Sequence, residues 1–275
     1  MAKNNALDEY LNLCAKFCDI DIDIARKETL AAIKRHDKKP YNIGDSVEMT
    51  RMEKKWYDSL AIDSKNPDYT VYADPYYFCE TWLCWVKYSK RYLRDIQSPR
   101  YMFGKSIVES MVDVGSVLDL GCGAGYTTAE LKRIFPNADV YGTNFEDSSQ
   151  YAMSSYIGDG NGFKMHDSHR GIKADLIFAS EYFEHIQAPI EHLFEVLTDC
   201  EPKYLLFANT FNSNAIGHFN VYLLAGNVIS RNEVSREFSA KLTAHGYEQV
   251  PTRCWNNRPA FWRRVDEKGR REIMT

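Results

Sequence analysis

The chain has 275 residues, of which 44% are hydrophobic and 26% charged, with a formal net charge of −4. These proportions are those of a globular protein with a buried core, long enough for one large domain or for a standard domain with a smaller companion. The acidic balance argues against nonspecific nucleic-acid binding through a global basic field, no apolar run is long enough to span a bilayer, and the opening MAKNNALDEY has no apolar signal core, so no membrane partner and a cytoplasmic location are expected.

Residues 1–98 read as a mainly helical region. LDEYLNLCAKFC places apolar residues at Leu7, Tyr10, Leu11, Cys14 and Phe17 or Cys18, the three-four spacing of an amphipathic helix. IARKETLAAIKRH repeats the pattern and ends in basic residues, which suit a helix C-terminus. DSKNPDYTVYADPYY, with Asn66 and Asp74 before prolines, reads as an irregular link. In the stretch that follows, Tyr76, Tyr77, Phe78, Trp82, Trp85, Tyr88 and Tyr92 fall partly at helical spacing, which predicts packing onto the main domain. Lys87, Lys90, Arg91, Arg94 and Arg100 are interleaved with them and leave open a platform that stacks a flat ring beside anionic groups.

The seven cysteines include Cys14 and Cys18, four apart, and Cys79 and Cys84, five apart. Neither spacing is a CxxC hook, and no histidine pair completes a zinc set, so buried reduced thiols and no metal are expected.

Residues 99–275 change rhythm to strands alternating with helices. SVLDL, ADVYGTN, GFKMHD, ADLIFASE and YLLFANT are the predicted strands; AGYTTAELKRIF, EDSSQYAMSSYI, IEHLFEVLTDC and RNEVSREFSAKLTAHG are the helices, the last ending at Gly246. YEQVPTRC and PAFWRRV close the chain as an antiparallel pair. Such alternation indicates an α/β fold, a parallel sheet with helices on both faces, and its ligands sit beyond the carboxyl ends of the strands where strand order reverses. Arg253, Arg258, Arg263, Arg264, Arg270 and Arg271 form a late basic cluster, suited either to a phosphate or to a solvated tail.

The stretch VLDLGCGAGY, residues 117–126, stands at that mouth. A dinucleotide site needs GxGxxG; Gly121, Gly123 and Gly125 are one residue too close, and no GK[ST] follows for a P-loop. Asp119 stands two residues before the first glycine, where a carboxylate repels phosphate and pairs with an ammonium group. The loop is therefore read as holding an amine-bearing ligand close to its backbone.

This stretch resembles the first motif of class I S-adenosylmethionine-dependent methyltransferases. ADLIFASEYFEHIQAPIEHLFEVL, with Ser180, Glu181, Glu184, His185 and Pro189, is similar to the fourth-strand motif of the branch that includes ubiquinone-pathway and plant alkaloid methyltransferases, and YLLFANTFN resembles its fifth strand. The resemblance covers about residues 100–265. It implies a seven-stranded Rossmann-like sheet and S-adenosyl-L-methionine as cofactor, with the methionine end on Asp119, Gly121, Cys122, Gly123 and Gly125.

One position departs from that family's pattern. Its second strand ends in an acid that takes both ribose hydroxyls, whereas here Asn144 stands there, followed by Phe145 and Glu146. Asn144, with Glu146 as helper, is expected at the ribose; Asn accepts one bond and donates another but lacks the charge. Asp167 matches the residue that reads the adenine amino group, flanked by His166, and it would otherwise be a helix N-cap. Ser180 and Glu181 complete the expected cofactor set.

Methyl transfer from a sulfonium depends on alignment, and a base is needed only when the acceptor must lose a proton. Glu184, His185 and Glu181 are the catalytic candidates. A carboxylate beside the imidazole of His185 would set its tautomer and raise its pKa; packing beside the cofactor is the alternative. Asn209, Asn212 and His218 lie where an acceptor would enter. Ser180-Glu181-Tyr182-Phe183 lacks the paired prolines of DNA amino-methyltransferases, so a flipped-base slot is not indicated. The expected function is methyl transfer to O or N of a small or medium-sized polar or aromatic acceptor under the cover of residues 1–98. A nucleotide or nucleic-acid acceptor, an inactive cofactor-binding partner subunit, and transfer of another arm of the cofactor stay open; the oligomeric state is not legible.

Overall fold

A computed structural model describes residues 2–36, 47–146 and 148–265. The N-terminal part is helical: α1 (Ala2–Cys18), α2 (Ile22–His36), α3 (Val47–Ile62), α4 (Phe78–Cys84), α5 (Lys90–Ile96) and the short α6 (Ile107–Ser110). α4 runs into α5 through a widened π turn at Trp85–Ser89, a feature that often marks a functional site because it pushes one residue out of helical register. The irregular link is built from two tight turns, Tyr69–Ala73 and Pro75–Tyr77, capped by the carboxylates of Asp68 and Asp74.

The second half holds strands β1 (Ser116–Leu120), β2 (Asp139–Thr143), β3 (Lys164–His166), β4 (Leu176–Ser180) and β5 (Tyr204–Ala208). A hairpin follows, β6 (Val221–Leu224) and β7 (Asn227–Ser230), then β8 (Tyr247–Val250) and β9 (Ala260–Arg264). The helices between them are α7 (Tyr126–Ile134), α8 (Ser149–Asn161), α9 (Pro189–Cys200) and α10 (Arg231–Ala244). The main sheet has seven strands in the order β3-β2-β1-β4-β5-β9-β8. Its first five are parallel, β9 runs antiparallel to β5, and β8 antiparallel to β9. This is the expected sheet and closing pair. The β6–β7 hairpin lies outside the sheet and is additional to the predicted elements.

Central strands β1, β4 and β5 are buried over four of their five residues, as near-continuous apolar runs require when helices cover both faces. The N-terminal helices share this core: Tyr10, Trp56, Phe78 and Tyr92 are buried in the same cluster as Val117, Phe178 and Leu206. Phe78, Trp82 and Tyr92 thus pack inward. Two of the interleaved cations, Arg91 and Arg94, pair with buried Asp95. Arg253 and Arg258 fall within the described residues, and Arg270 and Arg271 outside them. All seven cysteines are free thiols. Among the described residues no helix is long and apolar enough to cross a membrane.

Strand order reverses between β1 and β4, and the register sets Leu120 beside Ala179. The chain leaving β1 therefore faces the chain leaving β4 across the carboxyl ends of the strands.

Candidate active site

The loop after β1 is left-handed at every glycine: φ is +65° at Gly121, +58° at Gly123 and +86° at Gly125. A side chain would also find no room. A Cβ on Gly121 would lie 2.4 Å from the Tyr182 ring, and one on Gly123 would lie 2.8 Å from the Thr81 methyl. The loop is tied down from the end of β2 and from α8. Thr143 takes the Gly121 amide on its hydroxyl at 3.2 Å and the Cys122 amide on its carbonyl at 3.0 Å. The Gly123 carbonyl accepts from the Ser154 hydroxyl at 2.6 Å and from Asn144 Nδ2 at 3.0 Å.

Asp119, near the end of β1, is 2% exposed and accepts the Thr128 hydroxyl at 2.7 Å. Burial pushes its pKa up to about 8, against which the Thr128 bond works only in part. A carboxyl held neutral by desolvation beside a glycine cradle is a receptor for a cation, whose arrival restores the charge. S-adenosylmethionine fits here: its ammonium suits Asp119, and its close approach suits the bare glycine backbone. Cys122, buried and with its thiol pushed up to about 12, is an inert wall.

Asn144, the residue expected at the ribose, is tied to the glycine loop. While Nδ2 holds Gly123, its Oδ1 accepts the Phe145 amide at 2.9 Å, so both ends of the amide are engaged within the protein. Phe145 is 66% exposed and faces Tyr72 at a ring distance of 6.2 Å. Asn144, Phe145 and Asp167 line the cavity; Glu146, exposed, and His166, packed on Tyr141 at 5.4 Å, are not in its lining.

The cavity, about 890 Å³, runs from Asp119 and the glycines past Ser180 and Glu181 to His185 and His218. Its far wall comes from the N-terminal region: Tyr69, Tyr72, Tyr77, Thr81, Trp85 and Ser89. The π turn delivers Ser89 into it, where the hydroxyl donates to Ser180 at 3.2 Å. Tyr77 and Trp85 belong to the stretch that left a ring platform open; Tyr69, Tyr72, Thr81 and Ser89 belong to no expected set. The signal for them was four tyrosines, at 69, 72, 76 and 77, in a proline-punctuated link that needs no aromatic packing of its own.

Glu184 and His185 are brought to the mouth on a single tight turn, Phe183–His185, but they are not paired with each other. Adjacent residues on such a turn point about 120° apart. Glu184 is fully buried; its Oε1 accepts the Thr210 amide at 2.6 Å, and desolvation raises its pKa. His185 instead shares a hydrogen bond of 3.1 Å with the Tyr72 hydroxyl through Nδ1 and stands perpendicular to His218 at 4.8 Å. Burial, then the neighbouring His218, lowers its pKa well below the ordinary value. The expected carboxylate–imidazole couple that raises the imidazole pKa is thus corrected: the ring is neutral, with a tyrosine as its partner. Gly217 makes the couple possible, since a Cβ there would lie 2.2 Å from the Tyr72 oxygen and 2.4 Å from His185 Nδ1. Asn209 accepts the Phe183 amide at 3.4 Å and so holds the turn, and Asn212 is exposed and absent from the cavity wall.

A model of a methyltransferase domain family matches residues 82–251. No curated protein matches the sequence. Among solved structures, an O-methyltransferase family protein from Burkholderia thailandensis superposes with a TM-score of 0.55 at 12% identity, over 80% of this chain and 71% of that one. An amino pentose methyltransferase of calicheamicin biosynthesis from Micromonospora echinaspora gives 0.43 at 13% identity, over 66% and 92%. Fibrillarin, in a fibrillarin/Nop5p complex, gives 0.37 at 15% identity, over 51% of this chain and 65% of its own length. The seven-stranded order, the glycine loop at the strand switch and the matched family model agree: this chain belongs to the methyltransferase-domain family, in the class I S-adenosylmethionine-dependent form.

Proposed function

We propose that the protein moves a methyl group from S-adenosylmethionine to an oxygen or nitrogen of a small or medium-sized polar or aromatic acceptor. The observation that carries this reading is the continuity of the cavity. One space joins the Asp119 and glycine receptor to an aromatic wall and a buried neutral histidine.

Bound S-adenosylmethionine supplies a methyl carbon on a positively charged sulfur, activated toward displacement. The chain's own residues do the rest. Asp119 and the glycine loop fix the amino-acid end, and Asp167 supports the adenine end. Tyr69, Tyr72, Tyr77 and Trp85 form flat apolar walls, the tyrosines tipped by hydroxyls and Trp85 by an indole N–H, suited to a ring that carries polar substituents. An acceptor hydroxyl or amine would have to give up a proton in that exchange. His185, deprotonated at neutral pH, takes that proton, and Tyr72 holds the ring in place. The N-terminal helices, which supply one wall, exclude water from the exchange.

The test is incubation of the full chain with methyl-labelled cofactor and a panel of phenols, amino sugars, aromatic amines and oligonucleotides. The reading expects label to move to a member of the first three groups. Transfer only to oligonucleotides would replace the acceptor class, and binding without transfer to any of them would favour a non-catalytic subunit.

A further inference from the structure

Glu181 and His218, in the cavity lining, and Glu184, buried beside them, form a group that methyl donation leaves without a task. Glu181, Glu184 and His218 each bring one ligating atom to within 4.8 Å of the others. They arrive from different elements: Glu181 follows β4, Glu184 sits on the turn after it, and His218 lies between β5 and β6. Glu184 is fully buried and His218 is 3% exposed. One carboxylate oxygen of each glutamate, Oε1 of Glu181 and Oε2 of Glu184, is buried with no hydrogen-bond partner. Glu181 is held at φ +53°, a strained conformation for a residue with a side chain.

The histidine is oriented for ligation. His218 Nδ1 lies 3.1 Å from both the carbonyl and the hydroxyl of Ser213, and that hydroxyl donates to the Thr210 carbonyl at 3.2 Å. In the tautomer that donates from Nδ1 to the Ser213 carbonyl, Nε2 keeps its lone pair, which is how a backbone carbonyl prepares an imidazole for a metal. Two buried carboxylates side by side need a counter-charge or a shared proton. Arg258 contributes to their field without forming an ion pair with either.

We propose that Glu181, Glu184 and His218 form a site for one divalent cation, reached from the cavity through Glu181 and His218. Two carboxylates balance the charge of such an ion, and a mixed oxygen–nitrogen set suits Mn²⁺, Fe²⁺ or Zn²⁺ better than Ca²⁺ or Cu⁺. Three protein ligands leave coordination positions for oxygens of an incoming molecule, which narrows the acceptor class to compounds bearing a hydroxyl. The cation site stands by itself; only its use on an acceptor rests on the methyl-transfer reading.

The test titrates the metal-free full chain with Mn²⁺ alone, followed by electron paramagnetic resonance and calorimetry, with no cofactor added. One equivalent of Mn²⁺ is expected to bind and to be displaced by Zn²⁺. Glu184→Gln and His218→Ala are expected to weaken it at least tenfold, and Asp119→Asn to leave it unchanged. Glu181→Gln, at a partly exposed position, serves if the buried variants do not fold. Absence of saturable Mn²⁺ binding by the folded wild type overturns the site, as does binding that survives Glu181→Gln and every other folded ligand variant. S-adenosylhomocysteine titrated separately shows whether the donor reading stands or falls independently.

Discussion

The Thr128 hydroxyl, on the first helix after the glycine loop, donates to the buried carboxyl of Asp119 at 2.7 Å. One hydrogen bond replaces the water that the carboxyl has lost, and the group is left with its pKa pushed up to about 8. A ligand cation completes what Thr128 only begins. Asp119→Asn keeps the shape and removes the charge; it should weaken S-adenosylhomocysteine binding by about 10- to 100-fold, the worth of roughly 1.5–3 kcal/mol for a hydrogen bond to a charged group. Calorimetric titration of the folded variant checks it.

The raised Asp119 pKa also fixes a direction of pH dependence. Between about pH 4, where the unfolded carboxyl ionises, and about pH 8, the ligand-free folded state holds a proton that the unfolded chain has released. Stability contributed by this group is therefore full below that window and falls as pH rises, at up to about 1.4 kcal/mol per unit. Glu181 and Glu184, raised by burial, act in the same sense. The buried histidines, lowered by desolvation, act in the opposite sense, so the difference between wild type and Asp119→Asn isolates this group: the wild type should lose stability relative to the variant in denaturant unfolding from pH 5 to 7.5, and S-adenosylhomocysteine should flatten that difference.

Asn144 invites a substitution that the family pattern would call an improvement. Asn144→Asp restores the usual acid, yet it removes the donor to Gly123 and sets a carboxylate against that carbonyl. Cofactor affinity should fall about fivefold or more, with about 1 kcal/mol of lost stability. A tighter complex would show that a carboxylate here gains more at the ribose than it loses at Gly123.

Gly123→Val combines a left-handed φ of +58° with a collision against Thr81. Backbone strain alone costs about 1–2 kcal/mol, and the displaced loop should no longer bind S-adenosylhomocysteine measurably; thermal unfolding and calorimetry together separate the two effects.

His185→Ala should leave S-adenosylhomocysteine binding within about twofold while methyl transfer to a working acceptor falls at least tenfold, within the range that general-base catalysis contributes. Because burial lowers the imidazole pKa, the acid limb of the pH–rate profile should lie below about pH 6.5, the ordinary histidine value. An acid limb above that value, or an unchanged rate in the variant, would remove the base assignment.

The strand alternation, glycine spacing and closing antiparallel pair were legible because each is local: a run of apolar residues, a turn residue, a cap. What escaped depends on tertiary approach. Nothing near Asn144 announces that its amide is engaged by Gly123, since the contact joins the ends of two neighbouring strands. Glu184 and His185 are adjacent in the chain, which suggested a couple, but one tight turn sends them to Thr210 and Tyr72. His218 joins the glutamates only through the approach of the β5–β6 connection to the chain after β4. The β6–β7 hairpin hid in a stretch, VYLLAGNVIS, whose Ala225-Gly226 turn is a usable signal in hindsight.

The function of the chain turns on what the bend after β1 grips. Calorimetric titration of the folded full chain with S-adenosylhomocysteine, and in parallel with NAD, decides it most directly. Saturable binding of the thioether at one site, weakened by Asp119→Asn, with no heat from NAD, is the result expected. Heat from NAD that Gly123→Val abolishes, or no heat from the thioether, would contradict it.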